Sequence, residues 1–568
     1  MESKESIRIS LGDWLFNSGV TGLVNILGEE NIKFIDKQTM EIPVVLLENF
    51  EEKYFDYFIN TYKKILSWNK IVSYKEKIIF HREANFENFT EASFEELNKF
   101  IGSGSTSGTL KYYLKSASYN SVYHLLDANI DILELEKGIT PIKKLSKSET
   151  LKDKLDDVKS VFEKIETVIS IFESEKGRKY LASKNIIYTI IKNSWNGVCF
   201  LNPQTKEKDV YVDYKNYFLS PVAEYKKLDK AKYKYNCFIC DEPVKDLNND
   251  LSFLNETGFD TNRKTSHVWN FNNDVGVCPV CKLVYSCVPA GMSFVYDKGI
   301  YINDNSSIEN AVLINNKIKS EILKEREVGA SLTYKALIES INEEFHEKMK
   351  YELADIQVVR YENETYRFNI LTKKMLEVIK KSKSDLNVLN KMGYKEINTY
   401  FNIYELVIQR ILNNHNLYTL IHKLLLYKIS SIKDLYYPID SMMNLLRINI
   451  KFLEGIGAME KNNDDIIRIA NGSGYYLKKK YREKGTEDKL RGISYRLLNA
   501  LKTNNTGMFM DTLLNCYLYV QDAVPKIFLE VLKDEDEFKN VGYAFLTGLI
   551  DGKVDTGNDN KNNEGGNE

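Results

Sequence analysis

The sequence predicts an α+β protein that is predominantly helical, with a mixed N-terminal region, an inserted four-cysteine zinc module and a C-terminal helical bundle. Three observations carry this expectation. Two Cys-x-x-Cys pairs, Cys237-Phe-Ile-Cys240 and Cys278-Pro-Val-Cys281, stand in mid-chain in a protein with seven cysteines. Short apolar runs punctuated by Gly and Pro occupy the first half. From about Ser306 the pattern turns helical, and of the nine prolines only Pro438 and Pro525 lie beyond that point.

The elements follow in order. In Leu11–Leu27, apolar Leu15, Phe16, Leu23, Val24 and Leu27 recur at helical spacing, and Gly19 and Gly22 imply a backbone packed closely against a neighbour. Pro43–Leu47 reads as a buried strand and Glu48–Trp68 as an aromatic-rich amphipathic helix. Gly102–Gly108 is a Gly/Ser loop, and Pro141–Ser174 reads as one or two long polar helices. Ser194–Asn202 and Asp209–Tyr214 have strand character, and Phe294–Ile302 a hairpin turned at Asp297-Lys-Gly299. Five segments result: 1–231, mixed α/β and nucleic-acid- or RNA-end-binding; 232–305, the zinc module and hairpin; 306–440, helical; 441–551, a small helical bundle; and 552–568, a Gly/Asn/Asp-rich disordered tail. Tyr437-Pro438 marks the last internal boundary. Helices within the bundle are expected at Leu445–Leu453, Asp464–Ile469, Gly492–Leu501, Phe509–Val520 and Val541–Leu549.

Composition narrows the class. The chain of 568 residues has 43% hydrophobic and 28% charged residues and a net charge of −2, so contact with a polyanion must come from local patches. No apolar run approaches the roughly 18 residues of a membrane span, and no secretory pattern opens the chain, so the expectation is a cytoplasmic protein with no membrane. Seven cysteines in a metal-like pattern suit a reducing compartment.

Cys237, Cys240, Cys278 and Cys281 are the candidate metal ligands: two dithiolate turns supply a closed tetrahedral sulfur shell, with structural zinc as the expected cofactor and no open position for water. His267, between the pairs, is read as a surface or packing residue, and Cys287 as a small buried hydrophobe. No Walker A sequence, His-Glu-x-x-His, His-Asp phosphohydrolase pair or Gly-x-Ser-x-Gly elbow occurs, and six histidines leave little acid–base stock, so the chain is expected not to be an enzyme. Asp534–Glu537 reads as a solvated face.

Basic-aromatic stretches supply the second signal. Lys478–Arg496 holds Lys478, Lys479, Lys480 and Arg482 among tyrosines 475, 476, 481 and 495, a composition that neutralises phosphates and offers stacking faces. Tyr225–Tyr235 is similar and runs into the first cysteine pair. Lys111 and Lys115, following the Gly102–Gly108 loop, are a further candidate DNA contact.

With these residues together, the sequence resembles the large subunit of the subtype I-B CRISPR Cascade complex, the family named for its CXXC–CXXC region. The resemblance rests on the Gly12–Gly19 opening, the Ser194–Phe200 segment, the four cysteines and the helical end through Gly542–Gly548. It implies a role in antiviral defence by RNA-guided DNA interference: binding near the crRNA 5′ handle, inspecting target duplex DNA for the protospacer-adjacent motif, aiding R-loop formation and recruiting a helicase–nuclease. Implied partners are crRNA, target DNA, the Cascade backbone and handle-binding subunits, and a small subunit. The last resembles the C-terminal bundle and would be made from an internal start at Met442, Met443 or Met459. Two other readings stay open: a zinc-stabilised scaffold without nucleic-acid contact, and a metal-dependent nuclease.

Overall fold

The computed structural model describes residues 5–126, 131–143, 150–257, 275–295, 298–324, 356–362, 364–459 and 464–551. It is α+β and predominantly helical, with several small sheets. The chain divides into two compact units, Met1–Arg326 with Val359–Phe368, and Glu327–Val358 with Asn369–Glu568. The cysteine segment therefore lies inside the first unit, and the stretch 306–440 is shared between both.

In the first unit, β1 (Ser6–Ser10) alternates buried Ile7 and Ile9 with outward residues. It pairs antiparallel with β3 (Thr39–Pro43), which is flanked on its other side by β2 (Lys33–Phe34). A hairpin, β4 (Tyr235–Asn236) and β5 (Pro243–Val244), carries the first cysteine pair. The expected hairpin at Phe294–Ile302 is formed by β6 (Ser293–Val295) and β7 (Lys298–Asn303), although residues 296–297 of its turn lie outside the described residues. β8 (Ile356–Glu362) and β9 (Thr365–Leu371), of which residues 359–362 and 365–368 belong to this unit, complete a sheet of order β6-β7-β8-β9.

The principal helices of this unit are α1 (Trp14–Leu27), α2 (Phe50–Tyr62), α3 (Leu155–Glu173), α4 (Pro279–Ser286), α5 (Val288–Gly291) and α6 (Ile308–Lys324). Asp13 caps α1, its carboxylate accepting the backbone N–H groups of Leu15 and Phe16. The glycines of α1 do pack closely, and their partner is the cysteine segment. A Cβ on Gly19 would lie 2.4 Å from the Val284 carbonyl oxygen and one on Gly22 2.0 Å from that of Cys287. Reciprocally, a Cβ on Gly291 would lie 1.8 Å from the Ser18 oxygen, so the backbones of α1 and of α4–α5 touch.

α2 supplies an aromatic core. Tyr54 stacks on Tyr214 at 4.4 Å between ring centroids, and Trp195 packs on Phe200 and Phe218. The polar ends of three rings converge on Ser286, the last residue of α4: the Tyr54 hydroxyl and the Trp195 indole N–H donate to its carbonyl, and the Tyr214 hydroxyl lies 2.7 Å from its Oγ.

Several local expectations give way. The ladder stops at Pro43, and Val44–Leu47 form a 3-10 turn with Val45 61% exposed rather than a buried strand. Glu48–Trp68 breaks into α2, a 3-10 turn at Lys63–Ile65 and the start of a helix at Ser67–Val72. Val210–Tyr214 is helical, because the Asp209 carboxylate caps the N–H groups of Tyr211 and Val212 and overrides the strand propensity of the run. Of Ser194–Asn202, only Trp195 makes a bridge, to Leu254, and Cys199–Leu201 form a 3-10 turn. Within Pro141–Ser174, α3 is amphipathic rather than polar, burying Val158, Phe162, Ile165, Val168 and Ile169.

In the second unit the pattern after 306 is not purely helical. β10 (Gly393–Glu396), β11 (Thr399–Asn402) and β12 (Leu435–Tyr436) form a sheet of order β11-β10-β12. The five expected late helices lie within α7 (Ser441–Ile456), α8 (Asp464–Glu483), α9 (Lys489–Lys502), α10 (Thr506–Val520) and α11 (Glu535–Asp551). α8 and α11 cross through small residues: a Cβ on Gly474 would lie 2.1 Å from the Phe545 oxygen and one on Gly548 1.9 Å from that of Asn471. No helix among the described residues is long and apolar enough to cross a membrane. The tail 552–568 lies outside the described residues.

Candidate metal centre and flanking basic surfaces

The β4–β5 hairpin turns through Asp241, whose φ of +58° brings its N–H back to the Cys237 carbonyl at 2.9 Å. The Cys237 N–H in turn donates to the Glu242 carbonyl at 2.8 Å. This fold-back presents Cys237 and Cys240 on one side. The second pair sits on the first turn of α4, where Cys278 is the N-cap and Pro279 the first helical residue. Its Sγ accepts the Cys281 N–H at 3.4 Å, and the helix dipole favours negative charge there. Two bonds tie the halves together: Phe238 N–H to the Gly276 carbonyl at 2.9 Å, and Cys278 N–H to Cys237 Sγ at 3.2 Å.

All four sulfurs lie within 4.8 Å of one another, and Cys240 Sγ is 3.6 Å from Cys278 Sγ. A tetrahedral thiolate shell with metal–sulfur bonds of about 2.3 Å needs sulfurs about 3.8 Å apart. The four cysteines thus form a preassembled set that can hold a metal ion. Cys237, Cys278 and Cys281 are buried, whereas Cys240 is exposed. The thiols also share protons unequally. Hydrogen bonds from Cys240, Cys278 and Cys281 push Cys237 well below the usual thiol range, whereas donation to Cys237 and Cys240, followed by burial, pushes Cys278 up. Cys281 is raised for the same reasons. A divalent cation bound there would take the place of those shared protons. Cys287 is fully buried with its Sγ near the Leu283 carbonyl, as expected of a packing residue. His267 lies outside the described residues.

The basic residues fall in two places, one in each unit. Lys111 is held inside the first: its ammonium donates to the Glu136 and Ile139 carbonyls at 3.0 and 2.7 Å and pairs with the Glu136 carboxylate at 3.0 Å. Lys115 reaches the same carboxylate at 3.2 Å from an exposed position. It borders the glycine loop, since a Cβ on Gly104 would lie 3.6 Å from its Nζ. In the second unit Lys478 turns inward, donating to the Ile550 carbonyl at 2.8 Å, while Arg482 forks onto Glu487 with two bonds of 2.9 Å. That pairing lowers the Glu487 pKa. Lys479 is exposed, and Lys480 lies 3.9 Å from Glu483. Of the four nearby tyrosines, Tyr481 is core and Tyr495 bonds to Ser430, which leaves Tyr476 as the most open ring. Tyr519, thirty-odd residues downstream and unmarked by any motif, joins this surface: Lys484 and Lys489 lie 5.3 and 4.8 Å from its ring centroid.

Compared with known families, residues 230–293 match a family described as CRISPR-associated protein (Cas_CXXC_CXXC). That segment spans both cysteine pairs, α4 and α5. No curated protein and no solved structure matches the chain.

Proposed function

We propose that this chain is the large subunit of a type I-B CRISPR Cascade surveillance complex. The observation that carries the reading is the coincidence of the family match at 230–293 with a four-thiol cluster whose second pair opens the helix segment packed against α1. In this reading the metal is zinc, held by Cys237, Cys240, Cys278 and Cys281, and its contribution is a structural crosslink with no open coordination position. The protein works without catalysis of its own, in the cytoplasm. It binds crRNA and the backbone and handle-binding subunits, inspects the protospacer-adjacent motif in duplex DNA, and aids R-loop formation. Protein contacts to a short motif start the opening while guide pairing carries sequence specificity, a division of labour known for another effector. Lys115, Lys479, Lys480 and Arg482 present positive charge at the surface for nucleic-acid backbones; Lys111 and Lys478 brace those surfaces from within. The small subunit comes from an internal start at Met442, Met443 or Met459, and a separate helicase–nuclease makes the cut.

Co-expression of the chain with a CRISPR transcript and tagged Cascade backbone subunits tests this directly. The chain should copurify with backbone subunits and processed crRNA, and mass spectrometry should find a short product beginning near residue 442. Its absence from the purified complex, or divalent-metal-dependent DNA cleavage by the chain alone, would sink the reading.

A further inference from the structure

A cavity of about 250 Å³ opens beside the cysteine cluster. Tyr217, Tyr225, Tyr233 and Leu228 line it together with Pro221 and with Pro279 at the start of α4. That volume is below the roughly 300–1,000 Å³ of sites for drug-sized ligands, so it suits one small planar ring system rather than a whole cofactor. Lys282 also lines it, its ammonium donating to the Tyr217 hydroxyl at 3.2 Å and lying 4.5 Å from that ring's centroid. Glu224 and Asp246 add acceptor oxygens to the lining.

The surroundings say what class of ring belongs there. Lys227, Lys232 and Lys234 are exposed on the segment that forms the rim, with Asp229 the one acid among residues 225–235. Beside them Leu228 is 54% exposed, Tyr235 45%, and Phe238, at the tip of the metal knuckle, 64%. Exposed Lys232 and Lys234 interleaved with half-buried Tyr233 and exposed Tyr235 match a chain that alternates phosphates with flat bases. An apolar peptide anchor would leave the lysines without a counterpart.

From this arrangement we propose that the cavity seats one nucleobase of a single-stranded nucleic acid, with the flanking phosphates carried on Lys227, Lys232 and Lys234. Tyr233 stacks on the base and Tyr225, whose ring carries the Lys230 ammonium 3.9 Å from its centroid, edges it; Glu224 and the Asp246 oxygen not taken by the Asn248 N–H accept from its exocyclic amino group, as carboxylates do from cytosine. Because Pro279 and Lys282 flank the ligands Cys278 and Cys281, the metal centre sets the shape of the cavity. The site stands on its own geometry and does not require the assembly role above; a test on the isolated full-length chain keeps the two failures apart.

The experiment measures fluorescence anisotropy of a labelled single-stranded 12-mer, with photocrosslinking from a 4-thiothymidine-bearing copy. Tyr233→Ala should weaken binding roughly tenfold, as loss of one stacked base does, without changing the salt dependence. Tyr233→Trp should restore it. A 12-mer of abasic sugars should bind parent and Tyr233→Ala equally, and Lys227→Ala/Lys232→Ala/Lys234→Ala should flatten the salt slope. Crosslinks should fall on the peptides containing Tyr217 or residues 225–235. Parental affinity in Tyr233→Ala, or crosslinks confined to other segments, would overturn the proposal. So would Tyr233→Ala losing capture of a Cascade backbone subunit while keeping strand binding, since that would give the cavity to a protein.

Discussion

Gly22 and Lys319 show how much depends on single positions. A methyl group at Gly22 has nowhere to go, because the carbonyl it would meet belongs to backbone. Gly22→Ala should therefore destabilise the first unit by about 1–3 kcal/mol, read as a lower midpoint in urea. Gly472 in α8 has open space around its Cβ position, and Gly472→Ala should instead stabilise by up to about 1 kcal/mol. Lys319 in α6 is fully enclosed, donating to the Ala290 carbonyl and the Tyr57 hydroxyl, and burial lowers its pKa to about 7. The unfolded side chain keeps its proton to about pH 10.4. Between those values the unfolded state binds more protons, so stability rises with pH, by up to about 1.4 kcal/mol per unit. Lys319→Met should lose that slope in urea unfolding measured at pH 6.5, 8 and 9. An identical pH profile in parent and variant would contradict the assignment.

At the scale of elements, the cysteine pairs were legible because two residues at fixed spacing suffice to name a knuckle. The tight packing of α1 was equally legible from Gly19 and Gly22, but its partner was not: Val284 and Cys287 lie more than 260 positions away, and sequence spacing carries no record of so distant a contact. The strand reading of Asp209–Tyr214 failed where one capping carboxylate outweighed the β-propensity of Val210, Tyr211, Val212 and Tyr214. The late strands were hidden because Gly393–Glu396 and Leu435–Tyr436 are too short to show alternation. Two expectations follow for these elements. Cys278→Ser, which alters both a candidate ligand and a helix cap, should abolish stoichiometric zinc measured by plasma mass spectrometry and lower the yield of folded chain more than Cys240→Ser does. Chelation of the parent should speed hydrogen exchange in α4 and α1 and leave α8 and α11 unchanged. On the basic surface, joint alanine replacement of Lys479, Lys480 and Arg482 should weaken DNA binding uniformly across sequences. It should also reduce the salt slope by up to about 0.9 for each phosphate no longer neutralised.

For the whole molecule, composition and pattern gave the α+β, mostly helical class, whereas the division into two units was not readable. The chain leaves the first unit at residue 326 and returns through 359–368, and a returning segment leaves no signature in local periodicity. The basic surfaces show the same limit. Lysines are countable in sequence, but whether a lysine faces solvent or a carbonyl depends on partners such as Glu136 and Ile550, which only the fold supplies. In the proposed role, this chain gives a guide-RNA complex its dependence on a short flanking DNA motif. The most direct measurement is binding of reconstituted complexes, with and without this chain, to target duplexes that carry or lack that motif. Motif-dependent binding is expected only when the chain is present, with no cleavage until a helicase–nuclease is added. Equal affinity for both duplexes, or equal binding after omission of the chain, would contradict it.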